Sequence, residues 1–230
     1  MATNRFESLR ALFAFGKTAL LRQSVLAVFG FTLLFPTVAI AHPYFPFSPG
    51  DVFVYRYQFH IDTTKEEFKA ANSAGKMTVV VGEPEDLNGR SYFPLTTTYV
   101  GVPGSPEPTK IWLREEKGAL KMGANHQGKF YETTILPAVT TVGTEWSYFD
   151  GEESTRKITA IKSFEALGKT HTDCLEVTRA PLSNDKLKES INRDFYCRDV
   201  GEVKFLFQSP SPIGDYVTET QLEEKRKADK

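Results

Sequence analysis

From Asp51 the chain reads DVFVYRYQFHID, in which Phe53, Tyr55, Tyr57, Phe59 and Ile61 alternate with Val54, Arg56, Gln58 and His60. A period of two carried by aromatic and β-branched side chains is the pattern of a strand with one buried face. The stretch opens with GDVFVY at Gly50, and the phrase returns as GTEWSY at Gly143. Both copies obey G-x-x-[FW]-x-Y, and both follow a proline-containing approach, FPFSP and LPAVTTV.

The segments after each copy run in the same order. KMTVVV, RSYFPLTTTYV and TKIWLREE read as strands separated by the turn formers EPEDLNG and GVPGSPEP, and EEKGALKM turns tightly through Gly118. After GTEWSYFDG come RKITAIKSF, a break at LGKT, TDCLEVTRA, a longer break at PLSNDKLKE, and DFYCRDVGEVKFLFQ. KMTVV matches KITAI, NGRSYFPL matches LGKTHTDCL, and IWLREEKGALK matches FYCRDVGEVK, with Arg114 against Arg198 and Gly118 against Gly201. The sequence therefore predicts an all-β fold: a curved antiparallel sheet, half-barrel or barrel. It is built from two similar meander units over about 43–125 and 132–210, each of four or five strands. One such unit alone has too small an apolar face to persist. TTKEEFKAANSAGK (63–76) is the best helical candidate, a long connection or one or two helical turns. GDYVTETQ is a last strand, and residues 221–230 form a charged tail expected to fray.

The first 41 residues differ from the rest. Arg5, Arg10, Lys17 and Arg22 are basic, Gln23–Ala41 carries no charge, and Ala39-Ile40-Ala41 is a small-x-small site. This is the layout of a signal helix cleaved near Ala41 and points to the periplasm or extracellular space. An uncleaved anchor is the alternative, disfavoured by Pro36 and the Ala-x-Ala. The membrane enters only through this segment. Without these four cations and Glu7, 24 basic and 28 acidic side chains remain, a net charge of about −4. No basic block is available for phosphates, so nucleic acid is excluded as a partner.

Cys174 and Cys197 lie in the exported part, where two cysteines pair. In a hairpin of TDCLEVTR and RDFYCRD with Cys174 opposite Cys197, Asp173 faces Arg198 and Leu175 faces Tyr196. A disulfide, an opposite-charge pair and an apolar pair thus share one register. There is no C-x-x-C spacing to suggest redox chemistry.

Signatures of catalysis are missing: no G-x-S-x-G, H-E-x-x-H, P-loop or G-x-G-x-x-G occurs. Cleavage after Ala41 would make His42 the first residue, and its amine and imidazole could chelate Cu(II) with a second histidine from His60, His126 or His171. The simpler reading is that His42 is merely the residue left by the peptidase. Phe53, Tyr55, Tyr57 and Phe59 could line a lipid or sugar pocket, or form an ordinary core face together with Trp112 and Trp146. Asn125, His126 and Gln127, between Gly123 and Gly128, read as an exposed turn.

The phrases YFPFSPGDVFVYRY, LPAVTTVGTEWSY and FYCRDVGEVKF resemble those of a set of uncharacterised bacterial exported proteins and lipoproteins. Phe53 stands where that set commonly has tryptophan, and the lipobox cysteine is missing. The set is in turn similar to half-barrel lipid and lipoprotein carriers of the LolA/LppX type, a likeness of fold. The resulting expectation is an exported, non-catalytic binding or envelope-associated protein that takes a lipid or other apolar ligand, or an envelope component, without a cofactor. The alternatives are a copper protein built on His42 and an interaction module without ligand.

Overall fold

The structure, a computed structural model, describes residues 42–65, 72–101, 107–149, 153–180 and 190–228. The expected signal segment 1–41 lies outside them. Among the described residues the regular structure is all strand: β1 (Asp51–Asp62), β2 (Ser73–Val81), β3 (Glu85–Leu87), β4 (Arg90–Val100), β5 (Thr109–Glu116), β6 (Ala119–His126), β7 (Lys129–Leu136), β8 (Glu145–Phe149), β9 (Glu153–Ala166), β10 (Lys169–Arg179), β11 (Ile191–Cys197), β12 (Gly201–Ser209) and β13 (Asp215–Lys227).

All neighbouring strands pair antiparallel in one sheet, in the order β7-β6-β5-β4-β2-β1-β13-β12-β11-β10-β9-β8, with β3 folded onto β4. Two meanders thus stand side by side: β1 to β7 run outward from the centre, and β8 to β13 run back toward it. Each contributes six strands to the main sheet, more than the four or five expected. They are welded through β1 and β13, whose ladder runs from Asp51↔Lys227 to Asp62↔Asp215. At the other side β7 and β8 approach and nearly close the sheet into a barrel. There Trp146 Nε1 donates to the Thr134 carbonyl (2.9 Å) and the Phe149 amide to Thr133 Oγ1 (2.9 Å).

Four hairpins turn on two residues that both have positive φ: Asn88-Gly89, Lys117-Gly118, Gln127-Gly128 and Leu167-Gly168. Such turns match the right-handed twist of the flanking strands, and the second position in each is the residue that adopts this conformation without strain. The expected turns at Gly118 and in GANHQGK are these hairpins, although Asn125 and His126 complete β6 and only Gln127-Gly128 turns.

Two sequence expectations are corrected. Ser73–Lys76, the end of the helical candidate 63–76, begins β2, with Ser73↔Phe59 and Lys76↔Arg56 in register; residues 66–71 lie outside the described part. The tail from Gln221 does not fray either, because β13 continues to Lys227. Leu222 is 2% exposed opposite Tyr55, Lys225 Nζ donates to the carbonyls of Pro46 (3.2 Å) and Val200 (3.1 Å), and Lys227 pairs with Asp51 at 2.6 Å. Charges that look like a solvated run therefore alternate with one buried leucine along a paired strand.

The core lies inside the curved sheet. It gathers Phe53, Tyr55, Val81, Leu95, Leu113, Leu120, Leu136, Ile158, Val177 and Leu222 from both meanders. The segment His42–Gly50 covers it with Tyr44, Phe45 and Phe47; the Phe45 and Phe47 rings meet Phe53, Phe93 and Tyr196 at 5.5–6.2 Å. Cys174 and Cys197 are bonded, and the predicted register holds: Cys174↔Cys197, Leu175↔Tyr196, and Arg198 Nε to Asp173 Oδ2 at 2.5 Å.

Candidate functional site

Alternation along β1 points Phe53, Tyr55, Tyr57, Phe59 and Ile61 inward, but these residues have different surroundings. Phe53 and Tyr55 are 1% and 3% exposed and belong to the core, where the Tyr55 hydroxyl donates to the Glu202 carbonyl at 3.2 Å. Phe59 stacks on Tyr216 with centroids 6.2 Å apart. Tyr57 instead lines a cavity of about 340 Å³ with Met77, Tyr99, Glu202, Phe205, Thr218 and Thr220.

Register explains why these residues meet. Thr220 stands opposite Tyr57 on one side and Phe205 on the other, and Thr218 likewise lies between Phe59 and Phe207. On the other flank Gly75 faces Tyr57, and Met77 bridges Tyr55 to Tyr99. Small side chains at 75, 218 and 220 thus alternate with large rings, and rings cannot fill the space beside them. Tyr57 and Tyr99 pack edge to face at 5.7 Å. A β-bulge brings in the one carboxyl: Phe195 pairs with Lys204 but Tyr196 pairs with Glu202, so Val203 is the extra residue and Glu202 turns inward.

Glu202 is half-buried, and its neighbours are polar. Burial, with the Asp194 charge in second place and Arg156 opposing both, pushes its carboxyl up to about 8, so it carries its proton at neutral pH. Asp194 and Arg156 are 4% and 7% exposed; Arg156 Nη1 lies 3.2 Å from Asp194 Oδ2, and its guanidinium sits 3.7 Å over the Tyr148 ring. Burial raises the Asp194 carboxyl, while Arg156 and Arg179 pull it down. Burial works against the charge of Arg156, but Asp194, Tyr196 and Tyr148 outweigh it and keep the guanidinium protonated. Tyr55 and Tyr196 are driven well above the usual phenol range, mainly by burial.

Four buried polar atoms here make no hydrogen bond: Arg156 Nε, Asn192 Oδ1, Asp194 Oδ2 and Thr220 Oγ1. The Arg156–Asp194 contact is close enough for an ion pair but misaligned for a hydrogen bond. Alternation in β9, β11 and β13 places all four atoms on the inner face. Buried polar groups are nearly always partnered, and of these four only Thr220 Oγ1 belongs to a residue that lines the cavity beneath Tyr57.

His42 is 1% exposed; its Nδ1 accepts the Tyr44 amide at 3.3 Å, and its ring is bonded to the Pro137 backbone. Burial lowers its pKa, with the Pro137 bond and Glu115 acting upward. It is buried and hydrogen-bonded within its own segment, as a core histidine is. His171 Nε2 lies 3.2 Å from the Ala166 carbonyl, His126 packs on Tyr131 and Phe149, and His60 stands opposite Val217. Among the described residues no three His, Cys, Asp or Glu side chains gather to hold a metal. Trp146 packs against the core from the β7–β8 seam. Trp112 is instead on the outer face, donating to Glu85 and meeting Phe130 at 5.9 Å.

Two further clefts lie among the described residues. One of about 450 Å³ at the β7–β8 seam is lined by hydroxyls and by Lys121, Glu132 and Glu153. One of about 370 Å³ lies outside the sheet between Arg56, Gln221 and the Leu167-Gly168 turn. Neither is lined by any of the four unpartnered atoms.

No family model matches the chain, and no curated protein matches it. Two solved structures are similar in fold. One is a provisionally assigned lipoprotein from Parabacteroides distasonis, at 16% identity and a TM-score of 0.49, with 80% of this chain and 98% of that one covered. The other is a provisionally assigned exported protein with a YmcC-like fold from Bacteroides fragilis, at 12% identity, the same TM-score of 0.49 and the same 80% and 98% coverage. Likeness at this level says nothing about activity, and any functional reading has to come from the site itself.

Proposed function

We propose that the protein is an exported binding protein that holds one apolar or amphiphilic small molecule in the cavity beneath Tyr57. The carrying observation is the 340 Å³ space itself, walled by Tyr57, Met77, Tyr99 and Phe205, with Glu202 and Thr220 at its polar side. Ligand pockets of about 300–1,000 Å³ combine such apolar walls with a few convergent polar groups. The volume is at the small end of that range and suits a single chain. Export is supported by the basic, apolar and small-residue layout of residues 1–41 and by a disulfide, which needs an oxidising compartment.

The test is titration with N-phenyl-1-naphthylamine, an uncharged probe that fluoresces in apolar surroundings. Saturable one-to-one uptake is expected, and Thr218→Phe, which fills the space, abolishes it without lowering the melting temperature. Uptake that never saturates, or that survives the filled cavity, refutes the reading.

A further inference from the structure

We propose that the cavity selects a lipophilic amine, its protonated ammonium held by the Glu202 carboxylate, the Thr220 hydroxyl oxygen and the rings around them. This rests on the cavity being a ligand site. Three independent features of the lining point to a cation. First, of the lining residues Tyr57, Met77, Tyr99, Glu202, Phe205, Thr218 and Thr220, none is cationic and one is an acid. An anionic head would meet a carboxyl with no counter-ion; an ammonium meets its natural partner. Second, Tyr57, Tyr99 and Phe205 supply three rings, and the edge-to-face packing of the two tyrosines at 5.7 Å leaves ring faces to receive a cation. Third, Thr220 Oγ1 is buried, 4% exposed as a residue, and unpartnered, an acceptor suited to an ammonium N–H.

The neighbouring charges agree. Asp194 adds negative potential at Glu202; Arg156 opposes it to a smaller extent, paired with Asp194 at 3.2 Å and lying over the Tyr148 ring. Other groups facing Glu202 are Tyr55 on its carbonyl and Tyr196 across the ladder, both neutral far beyond physiological pH. The incoming ammonium replaces the proton on Glu202: the O–H bond breaks, the proton goes to solvent, and the cavity keeps its net charge.

The experiment is calorimetric titration of the full exported chain with octylammonium, octanol and octanoate, below their aggregation concentrations, in buffers of different ionisation enthalpy. At pH 7, octylammonium is expected to bind at least about tenfold more tightly than octanol, with octanoate weakest, since hydrogen bonds to charged groups exceed neutral ones. One proton should be released per octylammonium bound. Its affinity should rise about tenfold per pH unit below the Glu202 pKa and level off above about 8. Glu202→Gln should erase the preference for octylammonium over octanol, the proton release and the pH slope. Tyr57→Leu should weaken octylammonium a few-fold more than octanol. Equal binding of alcohol and ammonium, or a pH slope that survives in Glu202→Gln and so belongs to Asp194, overturns the amine proposal and leaves the cavity reading standing. Failure of all three compounds to bind overturns the amine proposal, and if N-phenyl-1-naphthylamine also fails to bind, the cavity reading falls with it.

Discussion

Glu202 shows how one side chain can couple proton uptake to folding. Burial, with the Asp194 charge beside it, pushes its carboxyl up to about 8 in the folded chain, from an ordinary value of 4.5. Between those values the native state binds a proton that the unfolded chain has already lost, so stability falls as pH rises through this window. His42 acts oppositely: burial keeps it neutral, and its contribution is lost as pH falls below its ordinary 6.5. Comparing the wild type with Glu202→Gln cancels the histidine, which both share. The expected result is that the wild type loses melting temperature relative to the variant between pH 5 and pH 8.5, on the order of 10 °C for a chain of this size. Parallel curves across that range would show that the carboxyl is not buried in this way.

Among elements, the β10–β11 hairpin and the outer face of β4–β7 are each stabilised by one local device. The disulfide spans a sequence separation of 23 residues. Replacing both cysteines by serine should cost about 3 kcal/mol, read as a lower denaturation midpoint with a steeper slope, since the unfolded chain without the cross-link exposes more surface. On the outer face, Gly123 has no side chain because the Phe130 ring occupies that space: an added Cβ would lie 2.3 Å from Phe130 Cζ. Phe130 cannot easily yield, wedged at 5.7 Å from Tyr92 and 5.9 Å from Trp112. Gly123→Ala is expected to destabilise by about 1–3 kcal/mol, the cost of overpacking, and Phe130→Leu in the same chain should restore part of the loss. Most strands, the turns at Gly118 and Gly128 and the disulfide register were legible, because alternation, x-Gly pairs and facing partners are local signals; β3, inside an expected turn, and β7 were not called. The cavity was only half legible. Tyr57 stood out in its aromatic row, and Arg156 and Asp194 could have been noticed, since each falls in phase with an apolar neighbour, Ile158 and Tyr196. Glu202 could not: it alternates with Lys204 as an outward residue would, and only the bulge at Val203 turns it inward. The tail was misread because the buried Leu222 is a single signal among charges.

At the scale of the whole molecule, the two sides of the near-barrel differ in how they are held. The β1–β13 side has a continuous ladder from Asp51↔Lys227 to Asp62↔Asp215, broken by one bulge at Val54/Tyr55. The β7–β8 side has no such ladder; Trp146 and Thr133 bridge it through side chains. Local opening follows the weaker set of bonds, and its free energy is what amide exchange measures. Amides of β7 and β8 should therefore exchange before those of β1 and β13, which open only with the whole fold. The seam also lies beside Tyr148, whose ring carries the Arg156 guanidinium, so its opening exposes the polar side of the interior. Trp146→Phe keeps the ring packing but removes the bond to Thr134. Exchange at β7 and β8 should then speed up by about tenfold, the effect of one lost hydrogen bond worth about 1 kcal/mol or slightly more, with β1 and β13 unchanged. If the cavity loads through this side, the same variant should raise association and dissociation rates of N-phenyl-1-naphthylamine together and leave its affinity alone. Faster exchange without faster probe kinetics would place the entrance elsewhere, at the Phe59–Tyr216 end of the sheet.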